Sequence, residues 1–406
     1  MGNFPAFAVK SALLAAVLAG STAAGLAPTV ADGGLRPTQP TSGFVPPIAG
    51  MPYVGSELTL GTANFQKCKT EDAPNGFILE WLSDGVPLPA ERQTEFLKLV
   101  PEDRGHRISM IVHTQCEVQQ VFHSRETLPV KASSRAMGWT GRGNFELLGR
   151  SDEGDLVLYP RTYEPSWVYG GPGMEILTFP SSWDEPRVVG TGWNIFDIVF
   201  SSGDFDGDGN NDVVGRDSNG NLHLYPGDGE GGWLPPEQIG SGWNIFDSII
   251  GPGDFNGDGT NDVLARDRSG NLHLYPGDGA GGWLASSRVG SGWQIFDKII
   301  AAGDTTGDGT ADIFARDRSG LLYQYPTDGQ GRWYSPLLVG HGWDEMTGIS
   351  SAGPYSKSYS TARNDLIAYT HDGELFRYSN IGIQGDYALY NQGLIGTGWD
   401  IFTELI

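Results

Sequence analysis

Much of the chain alternates between short runs of strand-forming residues and turns rich in glycine, asparagine and aspartate. Residues 212–216 and 221–225 illustrate the pattern, since both are rich in valine, leucine or tyrosine and the turn 217–220 separates them. Such runs are typical of antiparallel strands. A third run follows Trp233 and a fourth follows Trp243. The pattern therefore predicts a unit of four short strands.

This unit returns at a period of fifty residues, because equivalent aspartates stand at positions 204, 254 and 304. Four short strands per repeat are the signature of a β-propeller blade. Five copies of one strand predict five blades, and these copies are residues 155–160, 221–226, 271–276, 321–326 and 374–379. The wider spacing after the first copy predicts an insertion around residues 163–179.

The two ends of the repeat region complement each other. Residues 396–406 begin a unit that is not finished, whereas residues 138–160 supply the missing strands of such a unit. We therefore expect the last strand to pair with the first blade and close the ring, which removes open sheet edges that promote aggregation. The predicted architecture of residues 132–406 is an all-β, five-bladed propeller closed by its C-terminal strand.

Three loops carry side-chain oxygens at alternate positions, together with two glycines that let the chain fold tightly. We name them loop 1 (residues 204–212), loop 2 (254–262) and loop 3 (304–312). Because the candidate ligands are hard oxygens and no histidine or cysteine is nearby, calcium is the favoured ion, and three ions are expected. The candidate side-chain ligands are Asp204, Asp206, Asp208, Asp212, Asp254, Asn256, Asp258, Asp262, Asp304, Thr306, Asp308 and Asp312, and the candidate carbonyl ligands are Asn210, Thr260 and Thr310.

These loops differ from an EF-hand, which needs a bidentate glutamate at its twelfth position and a helix on each side. The twelfth positions here are Gly215, Ala265 and Ala315, and predicted strands flank each loop. The loops instead resemble the calcium hairpins of FG-GAP (VCBS, integrin-α-like) β-propellers, and that resemblance implies calcium binding. The alternative is that they are ordinary Asp-Gly hairpin turns without a metal.

Two sets of tryptophans also follow the repeat. The first belongs to a Gly-Trp-x-x-Phe motif and comprises Trp193, Trp243, Trp293, Trp399 and, with Met346 in place of phenylalanine, Trp343. The second lies beside glycine-rich turns that carry an aspartate, and these candidate sugar-binding residues are Trp183, Trp233, Trp283, Trp333, Asp228, Asp278 and Asp328. One set is expected to pack between blades, and the other to form shallow platforms on which a sugar ring stacks. Core packing of both sets is the alternative.

The Gly-Trp-x-x-Phe motif on five blades of about fifty residues also resembles the tachylectin-2-like lectin propellers. That resemblance covers residues 138–406 and implies N-acetylhexosamine ligands bound between blades. It does not assign individual contact residues in this sequence.

Residues 47–131 predict a separate, small antiparallel sandwich, because short strand-forming runs alternate there with turns such as Asp84-Gly85. The segments 47–59, 81–88 and 100–108 resemble bacterial immunoglobulin-like domains of secreted actinobacterial proteins, which implies a buried Trp81 and a spacer or adhesive role. Cys68 and Cys116 are expected to form one disulfide in an oxidising compartment, two free thiols being the alternative. If bonded, this pair is expected to join an edge or a loop rather than the two sheets.

The start of the chain predicts export. Lys10 precedes an apolar run, residues 12–24, that is too short to span a bilayer comfortably, and small residues follow it. Residues 1–31 are therefore expected to be a cleaved signal peptide, and residues 32–46 a flexible leader. The candidate cleavage sites follow Ala31, Ala27 and Ala23.

Charge and motifs narrow the range of functions. The formal net charge of −23 opposes binding to nucleic acid, and no later apolar run is long enough for membrane insertion. The hydrolase motifs Gly-x-Ser-x-Gly and His-Glu-x-x-His do not occur, so the sequence predicts a protein that is not an enzyme. The predicted function is a secreted, calcium-stabilised propeller that binds a glycan or cell-surface polysaccharide at repeated weak sites. The alternative is a protein partner in a secreted complex.

Overall fold

The computed structural model describes residues 45–61, 68–69, 71, 73–117, 119–170, 173–354, 363–380 and 389–406. All of these residues belong to one compact unit, Pro40–Ile406. The predicted signal peptide, and the predicted leader up to residue 44, lie outside the described residues. The described part is all-β, and its helical segments are 3-10 turns of three residues. None of them has the length and hydrophobicity that a membrane span requires.

The N-terminal region packs two small sheets around one tryptophan. The first sheet contains, in spatial order, Val86–Pro87, Phe77–Ser83, Ile108–Thr114 and Val121–His123, and the second contains Ile48–Ala49, Glu57–Leu60 and Leu97–Lys98. The 3-10 turns of this region are Ala90–Arg92 and Pro101–Asp103. Trp81 is fully buried among side chains from both sheets, as the immunoglobulin-like resemblance implies. The classification of this region as immunoglobulin-like stays a prediction.

Cys68 and Cys116 form the predicted disulfide, and their Cα atoms lie 5.0 Å apart. Cys116 lies in the connection between strands Ile108–Thr114 and Val121–His123, and Cys68 precedes strand Phe77–Ser83. The bond therefore joins two connecting segments and does not pin one sheet to the other through the core.

The repeat region forms five four-stranded antiparallel sheets, which we number in chain order. Their strands, in spatial order, are Phe402–Leu405, Leu147–Ser151, Leu156–Tyr159 and Arg187–Gly190 in sheet 1; Phe196–Gly203, Asp212–Asp217, Leu222–Tyr225 and Glu237–Gly240 in sheet 2; Phe246–Gly253, Asp262–Asp267, Leu272–Pro276 and Ser287–Gly290 in sheet 3; Phe296–Gly303, Asp312–Asp317, Leu322–Tyr325 and Leu337–Gly340 in sheet 4; and Met346–Pro354, Asn364–Thr370, Leu375–Ser379 and Tyr390–Gly396 in sheet 5. The predicted insertion is a hairpin of Arg161–Gly170 with Gly173–Trp183.

Short 3-10 turns precede the first strands of the sheets. They are Trp193–Ile195, Trp243–Ile245, Trp293–Ile295, Trp343–Glu345 and Trp399–Ile401, and a further turn, Arg135–Met137, precedes sheet 1. The glycine before each tryptophan adopts a left-handed conformation, for example Gly242 with φ 76°. A residue with a side chain rarely adopts this φ, so the Gly-Trp pair fixes where each new sheet begins.

Sheet 1 is built from both ends of the repeat region. Phe402–Leu405 pairs antiparallel with Leu147–Ser151, so that Phe402 faces Ser151 and Leu405 faces Gly149. The hydroxyl of Thr403 donates to the carbonyl of Arg150, 253 positions away in the sequence. The predicted pairing of the last strand with the first sheet is confirmed.

The first strands of the five sheets surround a cavity of about 310 Å³. Its lining includes Ile198, Ser248, Lys298, Gly348 and Glu404, which are equivalent positions of the five strands. In each sheet, the second strand pairs with the first and lies on its other side from the cavity. The sheets are therefore arranged with their first strands innermost.

A buried side chain of the second strand links each sheet to the next one. Arg266 of sheet 3 donates to the carbonyls of Trp293 (3.0 Å) and Phe296 (2.6 Å), where sheet 4 begins. The same guanidinium pairs with Asp247 at 2.7 Å. The equivalent donors in the other sheets are Arg150, Arg216, Arg316 and, between sheets 5 and 1, the hydroxyl of Tyr369. All five junctions thus share one kind of hydrogen-bonded link.

The tryptophans of the Gly-Trp-x-x-Phe motif fill the space between sheets. Trp243 is 6% exposed, and its ring centroid lies 4.4 Å from that of Tyr275 and 5.3 Å from that of Phe246. Gly240 leaves room for the indole, because a Cβ at that position would lie 2.6 Å from Trp243 Nε1. This set of tryptophans therefore has the packing role that the sequence predicts for one of the two sets.

Candidate functional site

Loops 1 to 3 connect the first and second strands of sheets 2, 3 and 4, and their acids hold the backbone in a tight curve. In loop 1, Asp204 Oδ1 accepts the N–H of Gly207 at 2.8 Å, and Asp206 Oδ1 accepts the N–H of Asp208 at 3.1 Å. Gly209 has a φ of 95°, which favours glycine. The second glycine of loops 2 and 3 also has a positive φ, 88° at Gly259 and 86° at Gly309.

Loop 1 brings three carboxylates together. One oxygen from each of Asp204, Asp206 and Asp208 lies within 4.8 Å of the other two. Burial raises the pKa of Asp204 to about 7, and repulsion from Asp208 and Asp206 adds to the rise. A divalent cation would offset both the lost hydration and the repulsion. The oxygen donors of loop 1 therefore fit calcium, which prefers such ligands.

The acid at the ninth position of each loop makes different contacts. Asp212 Oδ2 accepts the N–H of Phe205 at 2.8 Å, and Asp212 Oδ1 accepts the N–H of Gly227 at 2.9 Å. Burial raises the pKa of Asp212 and of Asp262 to about 8. The ninth acid lies beneath its loop as an acceptor for backbone N–H groups and is not part of the carboxylate cluster of loop 1. Ligation by Asp212, Asp262 and Asp312 stays a prediction.

Sheets 1 and 5 keep this ninth acid although they lack the other loop acids. Glu146 accepts the N–H groups of Trp139 (2.7 Å) and Thr140 (3.0 Å), and Asp365 pairs with Arg377 at 2.7 Å. A structural role therefore explains why an acid stands at this position in all five sheets. Sequence reasoning missed this role, although the acids that remain in sheets 1 and 5 were a visible signal for it.

Loop 2 has a cation of the protein beside its first acid. Lys131 Nζ lies 3.3 Å from Asp254 Oδ2. Within the loop, the amide of Asn256 donates to Asp258 Oδ2 at 2.9 Å, and the hydroxyl of Thr260 donates to Asp258 Oδ1 at 2.5 Å. Asn256 replaces the third-position aspartate of loop 1, so loop 2 carries one negative charge fewer.

Loop 3 surrounds its first acid with backbone donors. Asp304 accepts the N–H of Gly307 at 2.6 Å on Oδ1 and the N–H of Gly309 at 2.8 Å on Oδ2. Thr310 donates its N–H to Asp308 at 2.9 Å. The buried hydroxyl of Thr306 has no hydrogen-bond partner among the described residues, as is expected of an oxygen that would contact an ion.

The second tryptophan set lies in the turns between the third and fourth strands, at the same end of the sheets as the loops. Trp283 is half-buried, its Nε1 donates to the carbonyl of Ile239 at 2.7 Å, and its ring centroid lies 4.8 Å from that of Phe205 in loop 1. Trp333 packs in the same way on Phe255 of loop 2. Trp183 and Trp233 are also half-buried. Each turn in sheets 3 and 4 thus packs on the loop of the preceding sheet.

The aspartates of these turns shape the turns themselves. Asp228 Oδ1 accepts the N–H groups of Glu230 and Gly232, both at 2.8 Å. Asp278 and Asp328 make the equivalent pairs of hydrogen bonds. The structure therefore brings each predicted aspartate and tryptophan into one turn, and sugar contact by these residues stays a prediction.

The loops and the strands around them match a known repeat. Residues 204–265 and 254–315 each fit the family described as the FG-GAP-like repeat. Residues 204–315 are therefore similar to FG-GAP-like repeats. Together with the four-stranded sheets that carry them, these FG-GAP-like repeats identify this part of the protein as a β-propeller.

Solved structures resemble the whole chain only weakly. Solved structures that resemble the chain include the BP39L lectin from Burkholderia pseudomallei, at 16% identity, 84% coverage of this chain, 94% coverage of that chain and a TM-score of 0.38. They also include the rhamnogalacturonan lyase YesW, at 12% identity, 87% and 69% coverage, and a TM-score of 0.23. Scores this low carry no argument about binding or activity. No curated protein matches the chain.

The sequence predicts a protein that is not an enzyme, and this prediction is contradicted. The structures similar to this chain include an enzyme, the lyase YesW. The prediction depended on the absence of short hydrolase motifs. Catalytic groups are often contributed by loops far apart in sequence, and such motifs do not detect them. The TM-score of 0.23 assigns no lyase activity to this chain.

Proposed function

We propose that the protein is a secreted, calcium-stabilised propeller of five blades that binds glycans at several equivalent places. The observation that carries the proposal is the turn that recurs in sheets 2, 3 and 4, in which a half-buried tryptophan follows a turn-capping aspartate. In the proposed organisation, residues 47–131 are an immunoglobulin-like spacer and residues 132–406 are the propeller.

A closed ring is supported by three features of the repeat region. Five four-stranded sheets follow one another, the first strands line one cavity, and sheet 1 takes its first strand from the end of the chain. The links between neighbouring sheets also continue through Tyr369, which bonds to Phe402 at the junction of sheets 5 and 1. A closed ring fixes the spacing of the recurring turns.

Glycan binding is supported by the surface beside the tryptophans. The residue after each tryptophan is exposed, and these residues are Leu234, Leu284 and Tyr334, with exposed fractions of 45%, 52% and 58%. Apolar and aromatic surface beside polar turn groups suits the apolar face and the hydroxyls of a sugar. Weak sites at fixed spacing gain avidity on a polymer, so a cell-surface polysaccharide, including one with N-acetylhexosamine units, is the proposed ligand.

A protein partner is the second candidate, and another surface supports it. The 3-10 turns at the opposite end of the first strands expose one isoleucine each in four sheets, namely Ile195, Ile245, Ile295 and Ile401, all at least 50% exposed. Exposed apolar residues mark a protein interface where they form one contiguous patch, and these four lie at the same end of their sheets. Glu345 takes this position in sheet 5.

Calcium is expected to stabilise the protein through loop 1. Chelation with EDTA should lower the melting temperature, and calcium at a hundred times its Kd should restore about 2.7 kcal/mol of unfolding free energy. Asp208→Asn should weaken the response, because it removes one of the three clustered carboxylates. The charge-matched control is Asp372→Asn, since that side chain is 75% exposed and far from the loops in sequence. A wild-type melting temperature indifferent to calcium would contradict the proposal.

Glycan binding is tested with the full chain on a glycan array and on the best polymer found there. The double variant Leu284→Ala with Tyr334→Ala should lower affinity for the polymer at least about tenfold, since avidity depends on several sites, with little change in melting temperature. Ile245→Ala, which alters the opposite end, is the matched control. Absence of any bound sugar, with a protein partner whose recovery depends on Ile245, would support the second candidate instead.

A further inference from the structure

Lys131 forms an ion pair with loop 2. It is the last residue of the region assigned to the sandwich, and its ammonium lies 3.3 Å from Asp254 Oδ2 of loop 2, with side-chain exposures of 16% for the lysine and 3% for the aspartate. Long lysine side chains are almost never buried unless they are paired. The position of this ammonium is therefore tied to the first acid of loop 2.

The backbone around Lys131 holds the side chain in place. The N–H of Lys131 donates to the carbonyl of Pro52 at 2.9 Å, and its carbonyl accepts the N–H of Val54 at 2.9 Å. The next residue, Ala132, donates its N–H to the carbonyl of Gly259 inside loop 2 at 3.3 Å. The segment is thus bonded to the sandwich on one side and to loop 2 on the other.

Loop 2 also carries fewer acids than loop 1. Its third position is Asn256 rather than an acid, and the amide of Asn256 donates to Asp258 Oδ2 at 2.9 Å, a hydrogen bond that the carboxylate of Asp206 cannot donate in loop 1. Asp254 accepts the N–H of Gly257 at 2.7 Å on its other oxygen. The three clustered carboxylates of loop 1 therefore have no counterpart in loop 2.

A calcium ion bound to Asp254 would be close to the ammonium. Calcium lies about 2.3–2.6 Å from a ligand oxygen, and Lys131 Nζ lies 3.3 Å from Asp254 Oδ2. An ion on that oxygen and the ammonium would be at most about 6 Å apart, a separation at which like charges repel strongly in a poorly hydrated site.

We propose that Lys131 is the cation of loop 2, so that the ammonium excludes from this loop the divalent ion that loop 1 binds. The proposal rests on calcium binding as part of the proposed function, and it is independent of glycan binding. Loop 2 then serves as an anchor for the segment in which the sandwich ends and the propeller begins. Calcium in the wild-type protein is expected at loop 1, and not at loop 2.

The test counts calcium ions on the full chain by native mass spectrometry and measures affinity by titration calorimetry. Lys131→Met should gain one ion, with the affinity of loop 2 rising at least about tenfold. Lys131→Arg keeps the charge and should gain none. Lys98→Met, an exposed change of equal charge, should also gain none. Asp258→Asn should remove the gained ion from the Lys131→Met variant and no ion from the wild type.

Melting temperatures separate this role from a merely structural one. Lys131→Met should have a lower melting temperature than wild type in EDTA, and added calcium should raise that temperature more than it does in wild type. If the lysine had only a structural role, the substitution would lower the melting temperature in EDTA without increasing the rise on adding calcium. If the variant does not fold, Lys131→Gln, which can still bond to Asp254, replaces it. An unchanged ion count in Lys131→Met or its replacement Lys131→Gln would overturn the exclusion of calcium by Lys131 but not calcium binding at loop 1. Loss of an ion when Asp258→Asn is made in the wild type would do the same. Absence of calcium from every variant would overturn calcium binding as well.

Discussion

A chain without residues 402–406 is expected to lose the cooperative unfolding of its repeat region. The deletion removes the first strand of sheet 1 and leaves the edge of Leu147–Ser151 unpaired. It also removes Phe402 and Ile406, which are 3% and 4% exposed. Each such side chain contributes about 1.5–3 kcal/mol by burial alone, and whole domains are stable by only about 5–15 kcal/mol. Urea unfolding followed by tryptophan fluorescence measures the effect.

The deletion has a matched control within the same strand. Thr403 is exposed and contributes one hydrogen bond, from its hydroxyl to the carbonyl of Arg150. Thr403→Ala should therefore cost less than about 1.5 kcal/mol and leave one sharp transition. A truncated chain that still unfolds in a single transition at the wild-type urea midpoint would show that sheet 1 does not depend on its C-terminal strand.

The second large effect is expected from Arg266→Met. The guanidinium of Arg266 serves two carbonyls at the start of sheet 4 and pairs with Asp247. Methionine keeps much of the aliphatic stem but removes the donor to both carbonyls, and the carbonyl of Trp293 then keeps only the N–H of Phe296. A buried acceptor left without a partner costs about 1–3 kcal/mol and one further lost hydrogen bond about 0.5–1.5 kcal/mol, so we expect a loss of about 2–4 kcal/mol in unfolding free energy, measured by urea unfolding.

Arg268→Met is the control for this substitution. Arg268 lies two positions along the chain, is exposed, and makes a 3.3 Å hydrogen bond to the carbonyl of Asn244. Exposed substitutions of this kind change stability by about 0.5 kcal/mol or less. Equal stability of the two variants would mean that the buried link contributes nothing to the junction between sheets 3 and 4.

The features that sequence reasoning predicted were local or periodic. The strand expected at residues 212–216 is Asp212–Asp217, and the insertion expected around residues 163–179 is the hairpin Arg161–Gly170 with Gly173–Trp183. Period, turn residues and strand formers act within a few positions, and they are readable without a structure. The pairing between the two ends of the repeat region was also predictable, because residues 396–406 begin a unit whose remaining strands occur in residues 138–160.

The features that were not predicted depend on contacts between distant segments. Arg266 appears in the sequence as a strand residue, and its carbonyl partners are 27 and 30 positions away on the next sheet. Lys131 lies 123 positions (254 − 131) before its partner, Asp254. The contacts of Asp212 with the backbone N–H groups of Phe205 and Gly227 also join segments that the spacing of the loop does not connect. Spacing alone does not reveal which acids also accept hydrogen bonds from the backbone.

Sheet 1 combines strands that are synthesised at very different times. Strand Leu147–Ser151 leaves the ribosome long before Phe402–Leu405 does, and Arg150 and Thr403 are 253 positions apart. At roughly 5–20 residues per second, the earlier strand waits on the order of ten seconds to a minute for its neighbour. Sheets 2 to 5 acquire all of their strands in that interval, so the nascent chain completes its opening sheet last.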